Sequence, residues 1–304
     1  MKKDENSFHR FESLSAFHAM FGLEKPKHPL ISFFDIRTMQ YDAKALPPSL
    51  VLDFYKIAYK SNLCGRAKYG QHYYDFNEGG LVFTSPGQVF ESPPGTATSG
   101  FMLLVHPDFL LSYPLSKEIK RFGFFSYAAN EALHVSEREK EIIMLVFNII
   151  DEELKSRIDD FSQDVIVAQL ELLLNYSNRF YKRQFLTRKA VSNDYLQKVE
   201  EILDIYFTSD KASTHGIPTV QYLAHALNLS PGYLSDMLRS LTGQNAQQVI
   251  HGRLIERAKN VLSTSDLSVA EIAYTLGFEH PQSFSRLFKA KTNQSPFDFR
   301  KSFN

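Results

Sequence analysis

The stretch Thr219-Val220-Gln221-Tyr222-Leu223-Ala224-His225-Ala226-Leu227-Asn228-Leu229-Ser230 returns 49 residues later as Ser268-Val269-Ala270-Glu271-Ile272-Ala273-Tyr274-Thr275-Leu276-Gly277-Phe278-Glu279. Past the turn the offset becomes 50, where Leu234-Ser235-Asp236-Met237-Leu238-Arg239 aligns with Phe284-Ser285-Arg286-Leu287-Phe288-Lys289. Each copy follows the logic of a helix-turn-helix. A Thr or Ser can cap the first helix. The triplets Val220, Leu223, Ala224 and Val269, Ile272, Ala273 supply an apolar stripe ending in a small residue, which lets a second helix cross closely. Asn228 and Gly277 then stand where the turn needs a left-handed conformation, which both residue types tolerate.

The second helix of each copy buries one apolar pair four residues apart, Leu234 and Leu238 or Phe284 and Phe288, and so leaves a polar face. The first such face is expected to present Tyr233, Ser235, Asp236 and Arg239, beside Pro231 and Gly232. The second is expected to present His280, Gln282, Ser283, Ser285, Arg286 and Lys289. Arg pairs with guanine, Gln with adenine, and Ser with base or phosphate, so these are candidate DNA-binding residues. Residues 286–301 hold Arg286, Lys289, Lys291, Arg300 and Lys301 against Asp298 alone. Arg300 and Lys301 lie beyond the second reading helix and are expected to touch phosphate or to pack. Between the copies, Val249, Ile250, Leu254, Ile255, Ala258, Val261 and Leu262 predict one helix over 246–262. Such a helix would fix the separation of two units that read successive major grooves, about 34 Å apart.

Working outward, the 304 residues are enough for two domains, with 43% apolar residues to fill both cores. Basic and acidic side chains balance at 34 each, which excludes a basic coat or tail protein but not a local electrostatic footprint. The single cysteine, Cys64, excludes a disulfide framework and a cysteine zinc site. The charged start, Met1 to Phe8, lacks the apolar core of a signal peptide, and the longest apolar run, Ile142 to Ile150, is far short of a membrane span. A cytoplasmic protein with no membrane partner is expected.

Residues 30–110 read as β. The runs 30–36, 50–55 and 80–83 are rich in aromatic and branched residues, and Pro47-Pro48, Glu78-Gly79-Gly80, Ser85-Pro86-Gly87 and Pro93-Pro94-Gly95 punctuate them. Short strands with such turns predict a sandwich or small barrel. Ser136-Glu137-Arg138-Glu139 has capping-box spacing and opens a helix over 136–158. A second helix begins near Ser162 and is apolar over much of its circumference, which suits pairing of two subunits as well as internal burial. The basic stretch that follows predicts a boundary. The division is thus 1–182 for a sensor and dimerisation domain, 183–193 for a linker, and 194–304 for the helical domain.

The block Gly277-Phe278, Gln282-Ser283-Phe284-Ser285-Arg286-Leu287-Phe288-Lys289 and the ending Pro296-Phe297-Asp298-Phe299-Arg300 resemble the AraC/XylS family of bacterial transcription regulators, as do Arg253-Leu254 and Ala258 between the copies. The close resemblance covers roughly 194–304. Asn293, where the family usually has Gly, and His280-Pro281, where the turn usually carries Asp or Asn, depart from the pattern. Residues 1–182 are similar to the family's sensor domains in a looser way, through 76–83 and 86–90. The resemblance implies an α+β multidomain chain: a cupin-like β-barrel followed by helices, then an all-α domain with two helix-turn-helix units. It implies a regulator acting on double-stranded promoter DNA with RNA polymerase as a partner, as an activator responsive to a small-molecule effector, and as a homodimer.

Ligand contacts are expected from Arg66, Lys68, His72 and Tyr74, in or beside one strand of that barrel. Two alternatives stand beside this reading: a regulator with no small ligand, and a cupin metalloenzyme fused to a helical domain. Metal-dependent cupins need a His-x-His pair, and His72 is followed two positions on by Tyr74. His106 precedes a proline, and His9, His18, His28 and His134 have no partner spacing. No catalytic residue, metal ligand or cofactor is therefore assigned.

Overall fold

The computed structural model describes residues 8–41, 49–61, 67–69, 72–74, 79–91, 99–156, 159, 161–187 and 189–302. It divides into two units, Met1–Gln184 and Phe185–Asn304.

The first unit is sheet-rich. Its strands are β1 (Phe8–Phe11), β2 (Ile31–Asp35), β3 (Ser49–Leu52), β4 (Tyr55–Lys60), β5 (Ala67–Tyr69), β6 (His72–Tyr74), β7 (Gly80–Thr84), β8 (Val89–Glu91), β9 (Gly100–Val105) and β10 (Leu133–His134). They form a five-stranded sheet in the order β10-β7-β4-β9-β2, a three-stranded sheet β1-β3-β8 and a hairpin β5-β6. The five-stranded sheet is antiparallel throughout, whereas β1 runs parallel to β3. Among the described residues these sheets do not join into a closed barrel. The run 50–55, which reads as one strand, is two: β3 ends at Leu52 and β4 starts at Tyr55. Periodicity cannot see that change of direction. Asp53, at the break, ion-pairs with Arg10 of β1 at 3.0 Å.

Between the sheets lies a core of Phe11, Leu14, Phe17, Phe21, Leu50, Leu52, Phe54 and Leu104, to which the short helix α1 (Leu14–Met20) contributes. After α2 (Leu115–Glu118), two long helices, α3 (Glu137–Lys155) and α4 (Ser162–Thr187), cover the other face of the five-stranded sheet. There Phe33 meets Phe147 of α3, and Phe83 meets Tyr181 of α4. The predicted capping box opens α3: Ser136 Oγ accepts from Glu139 N, and Glu139 Oε2 accepts from Ser136 N at 2.8 Å. The end of α4 is pinned to β10. Buried Gln184 accepts from His134 N at 2.8 Å and donates to the Ala132 carbonyl at 3.3 Å, and Arg183 Nη2 donates to the His134 carbonyl at 2.9 Å. The apolar surface of α4 is not all covered within the chain, since Val165 and Leu172 stay exposed. Residues 183–193, read as a linker, carry the end of α4 and the start of the next helix at their described positions.

The second unit is all helical: α5 (Lys189–Thr208), α6 (Lys211–His215), α7 (Val220–Ala226), α8 (Pro231–Thr242), α9 (Ala246–Thr264), α10 (Val269–Thr275), α11 (Pro281–Thr292) and α12 (Pro296–Lys301). The helix predicted between the repeats is α9, about 28 Å long at 1.5 Å per residue. It packs against α5, α7, α8, α10, α11 and α12. Ala246, Ile250, Leu254, Ile255, Ala258 and Leu262 give it a buried stripe along its whole length. Arg253 ties it to α5 through Glu200 at 3.1 Å. Truncating the centre of this stripe, Leu254→Ala, should cost about 2–5 kcal/mol. Urea unfolding followed by circular dichroism checks this, and an unchanged midpoint would show that α9 is not the axis of the unit.

Candidate nucleic-acid interface

The two copies share the side-chain cap of their first helix and the backbone bond that closes the turn. Thr219 Oγ1 accepts from Tyr222 N at 3.1 Å to cap α7, and Ser268 Oγ accepts from Glu271 N at 3.2 Å to cap α10. Glu271 returns the bond to Ser268 N at 2.7 Å, and this pairing with Ser268 holds its carboxyl below the usual range. In the turns, Leu229 N donates to the Ala224 carbonyl at 2.9 Å and Phe278 N to the Ala273 carbonyl at 3.0 Å. Asn228 at φ 55° and Gly277 at φ 89° supply the left-handed residue that these bonds require.

The repeat runs further than the aligned hexapeptides suggest. Thr242 and Thr292 donate to the carbonyls of Leu238 and Phe288, both at 2.8 Å, and accept from Gln244 N and Gln294 N. Gly243 at φ 76° and Asn293 at φ 61° end α8 and α11 in the left-handed conformation, so Asn293 does what glycine does in the other copy. Asn245 and Ser295 then cap α9 and α12. Continuing the offset of 50 past Lys289 in the sequence would have found all of these.

The copies exchange Asn and Gly, and the exchange is not free. At Gly277 a Cβ would lie 2.6 Å from the Gly216 carbonyl carbon and 2.7 Å from the Ala212 carbonyl oxygen. At Gly243 it would meet nothing within 4 Å. Glycine at 277 therefore serves the close approach of the α6–α7 connection as well as the turn.

Leu234, Leu238, Phe284 and Phe288 are fully buried, so each second helix turns one polar face outward as its spacing predicts. On α11, His280, Gln282, Ser283, Arg286 and Lys289 are exposed together, and Ser285 is half-buried with its hydroxyl donating to the Pro281 carbonyl at 3.1 Å. Pro281 opens α11, but His280 makes no capping bond with its side chain, unlike Ser230 before Pro231 in α8. Among the described residues no ion pair holds Arg286 or Lys289. On α8, Arg239 is exposed and pairs with half-buried Asp236 at 2.7 Å. Exposed pairs of this kind contribute little, so Arg239 is readily released to another acceptor. Ser235 is half-buried, its Oγ accepting from Ala246 N at 3.4 Å.

Tyr233, expected on the polar face, is not there. Its exposure is 5%, and it packs edge-on to Phe185 with ring centroids 5.1 Å apart. Its position before Leu234 puts it on the flank of the buried stripe, where α5 and the preceding residues cover it. Arg300 is a packing residue, because its guanidinium donates to the carbonyls of Leu262 and Leu267 at 3.3 and 2.6 Å and closes the end of α9. Lys301 lies over the Phe297 ring.

Of the ligand candidates, Arg66 lies outside the described residues. Lys68 is in β5 and His72 and Tyr74 are in β6, where Lys68 pairs with Tyr73 and Tyr69 with His72. Cys64 is also outside the described residues. Among those residues no three His, Cys, Asp or Glu side chains gather as a metal site requires, and no helix is long and apolar enough to cross a membrane.

The family model described as a helix-turn-helix domain matches residues 223–302, which span both copies. The HTH-type transcriptional activator RhaS of Salmonella schwarzengrund is 26% identical over 257 residues, covering 77% of this chain and 88% of that protein. The chain belongs to the AraC/XylS family of DNA-binding transcription regulators. Another relative, the uncharacterized HTH-type transcriptional regulator YijO of Escherichia coli K12, is 31% identical over 86 residues, 28% of this chain and 30% of that one. Among solved structures, the C-terminal domain of the response regulator yesN from Fusobacterium nucleatum is similar at 30% identity and a TM-score of 0.31, covering 35% of this chain and 98% of that one. As an AraC/XylS regulator the chain departs from the usual residues at Asn293 and His280, and the structure gives the first a glycine's role and leaves the second uncapped.

The Asn and Gly positions of the repeat give a paired test. Gly243→Asn should leave stability within about 1 kcal/mol. Gly277→Asn should cost at least about 1–3 kcal/mol, because strain and a backbone collision coincide. Thermal unfolding of the two variants checks this, and equal midpoints would refute the close approach at Gly277.

Proposed function

We propose that the chain reads promoter DNA with the exposed faces of α8 and α11, through Ser235, Asp236 and Arg239 on the first and His280, Gln282, Ser283, Ser285, Arg286 and Lys289 on the second. The observation that carries this is the cationic, acid-free outer face of α11, set beside an equivalent helix at a spacing fixed by α9. The two faces divide the work. Helix α11 supplies unpaired cations that attract phosphate and reach base edges. Helix α8 offers an Arg–Asp pair that opens only for a matching acceptor, and so contributes more to discrimination than to affinity.

The remaining elements of the reading follow from it. Residues 1–182 act as a cupin-like sensor and dimerisation domain, residues 183–193 as the junction, and 194–304 as the DNA-binding domain. The exposed apolar residues of α3 and α4 (Leu145, Val165, Leu172) suit a homodimer. The RhaS relatives, named activators, support activation, which requires contact with RNA polymerase in the cytoplasm. A small-molecule effector held by the N-terminal unit, with Arg66, Lys68, His72 and Tyr74 as contacts, completes the scheme. A regulator controlled without a ligand is the second reading.

The experiment is equilibrium binding of the full chain to a selected promoter fragment across a salt series. Affinity should fall steeply with salt, because phosphate contacts release counterions. Arg286→Ala should cost about 1–3 kcal/mol and relax specificity at one base position. A salt-insensitive affinity contradicts the proposal, and a uniform loss across all sequences reduces Arg286 to a phosphate contact.

A further inference from the structure

The repeat places unlike charges at equivalent points of its two second helices. At the offset of 50, Asp236 of α8 corresponds to Arg286 of α11, and Arg239 corresponds to Lys289. Asp236 and Arg239 are the only charged residues of α8, whereas α11 carries Arg286, Lys289 and Lys291 and no acid. A carboxylate therefore stands on the exposed face of α8, one turn before the single cation that helix can offer to DNA. Against a polyanion that carboxylate opposes binding, and Asn or Ser at 236 would remove the repulsion. Its cost to affinity directs attention to what it does to Arg239.

Arg239 Nη1 donates to Asp236 Oδ1 at 2.7 Å. The Arg239 side chain is 56% exposed and that of Asp236 29%, so the guanidinium reaches further into solvent than the carboxylate that holds it. A guanidinium carries its five N–H donors in a rigid planar fork. With Nη1 on Asp236, the edge formed by Nε and Nη2 stays available, and it presents two parallel donors. Guanine offers two matching acceptors in the major groove, O6 and N7. Arg239 can take them while Nη1 stays on Asp236. A phosphate that draws the fork away from Asp236 instead breaks the pair and leaves the carboxylate facing the polyanion. Parting the two charges costs little in water. It costs more beneath a duplex, where water is partly displaced and the local dielectric falls.

We propose that Asp236 is a positioning residue, which aims Arg239 at a guanine in the major groove and withholds it from phosphate. The inference rests on the reading of DNA by α8, and it names what α8 reads: a G·C pair that turns guanine O6 and N7 toward Arg239. Helix α11 has no such condition, because Arg286 stands where α8 has its acid. The two halves of the bound duplex are therefore unlike, although the two helices that meet them are copies in backbone.

The test selects bound sequences from a random-duplex pool with the full chain, then measures equilibrium binding to the selected duplex and to an unrelated one. The parent is compared with Asp236→Asn, Arg239→Ala and the double variant. The parent should select a guanine at one position that Arg239→Ala releases while the other positions persist. Asp236→Asn should lower the preference for that guanine over adenine about tenfold, the scale of one bidentate pair. The same variant should bind the unrelated duplex about fivefold tighter near 0.1 M salt, with a salt dependence steeper by about one phosphate contact. A purely structural role would weaken binding to both duplexes together. Asp236→Glu, which keeps the charge, should behave as the parent, and Asp236→Ser carries the same readouts should Asp236→Asn fail to fold. The positioning role is overturned if the neutral variants keep the parent's guanine preference. It is also overturned if removing the acid still alters base preference in the Arg239→Ala background, which would make Asp236 a direct reader of cytosine. A parent that selects no duplex overturns DNA reading and this role together, whereas a parent that selects one while the neutral variants match it removes the role of Asp236 alone.

Discussion

The C-terminal unit depends on one constraint, the burial of a single helix along its whole length. Ala246, Ile250, Leu254, Ile255, Ala258 and Leu262 make α9 a rod to which both helix-turn-helix units are fastened. Alone, α7 with α8 or α10 with α11 would bury too little apolar surface to hold a fixed geometry, since short helices are marginal without tertiary packing. Fastened to α9 they acquire a fixed mutual spacing, and Arg300 closes the far end by taking up carbonyls at Leu262 and Leu267. Spacing is what distinguishes a two-element DNA reader from two separate weak ones.

The repeat is symmetric in backbone and asymmetric in chemistry. The caps of the first helices, the turn bonds and the threonines at 242 and 292 coincide, and only the cap of the second helix differs, Ser230 having no counterpart bond at His280. The surfaces presented differ: a neutral Arg–Asp face on α8 and a cationic face on α11. The Asn and Gly exchange shows how the backbone tolerates divergence. Left-handed residues are interchangeable where space is open, as at Gly243, and fixed where another backbone approaches, as at Gly277.

Much of this was legible in the sequence, for stated reasons. Apolar pairs four apart, together with Thr219, Ser268, Asn228 and Gly277, identified both units and the helix between them, because caps and turns act locally. Tyr233 misled, since a tyrosine next to a stripe can lie on either side of its edge and only the packing of Phe185 decides. In the N-terminal unit the helix opened by Ser136 was legible from its capping box. Strand β1 was not, being four residues whose place depends on parallel pairing with the distant β3. The run 50–55 reads as one strand because its apolar residues continue past the bend at Asp53, where β3 ends at Leu52 and β4 begins at Tyr55.

Guanine-N7 and phosphate interference footprinting of the full chain on its promoter tests whether α9 holds α8 and α11 at a fixed spacing over adjacent turns of one duplex. Two clusters of major-groove interference are expected on one side of the duplex, centred about 10 base pairs apart. Arg286→Ala should erase contacts in one cluster only. A single cluster, or two whose separation varies from site to site, would contradict it.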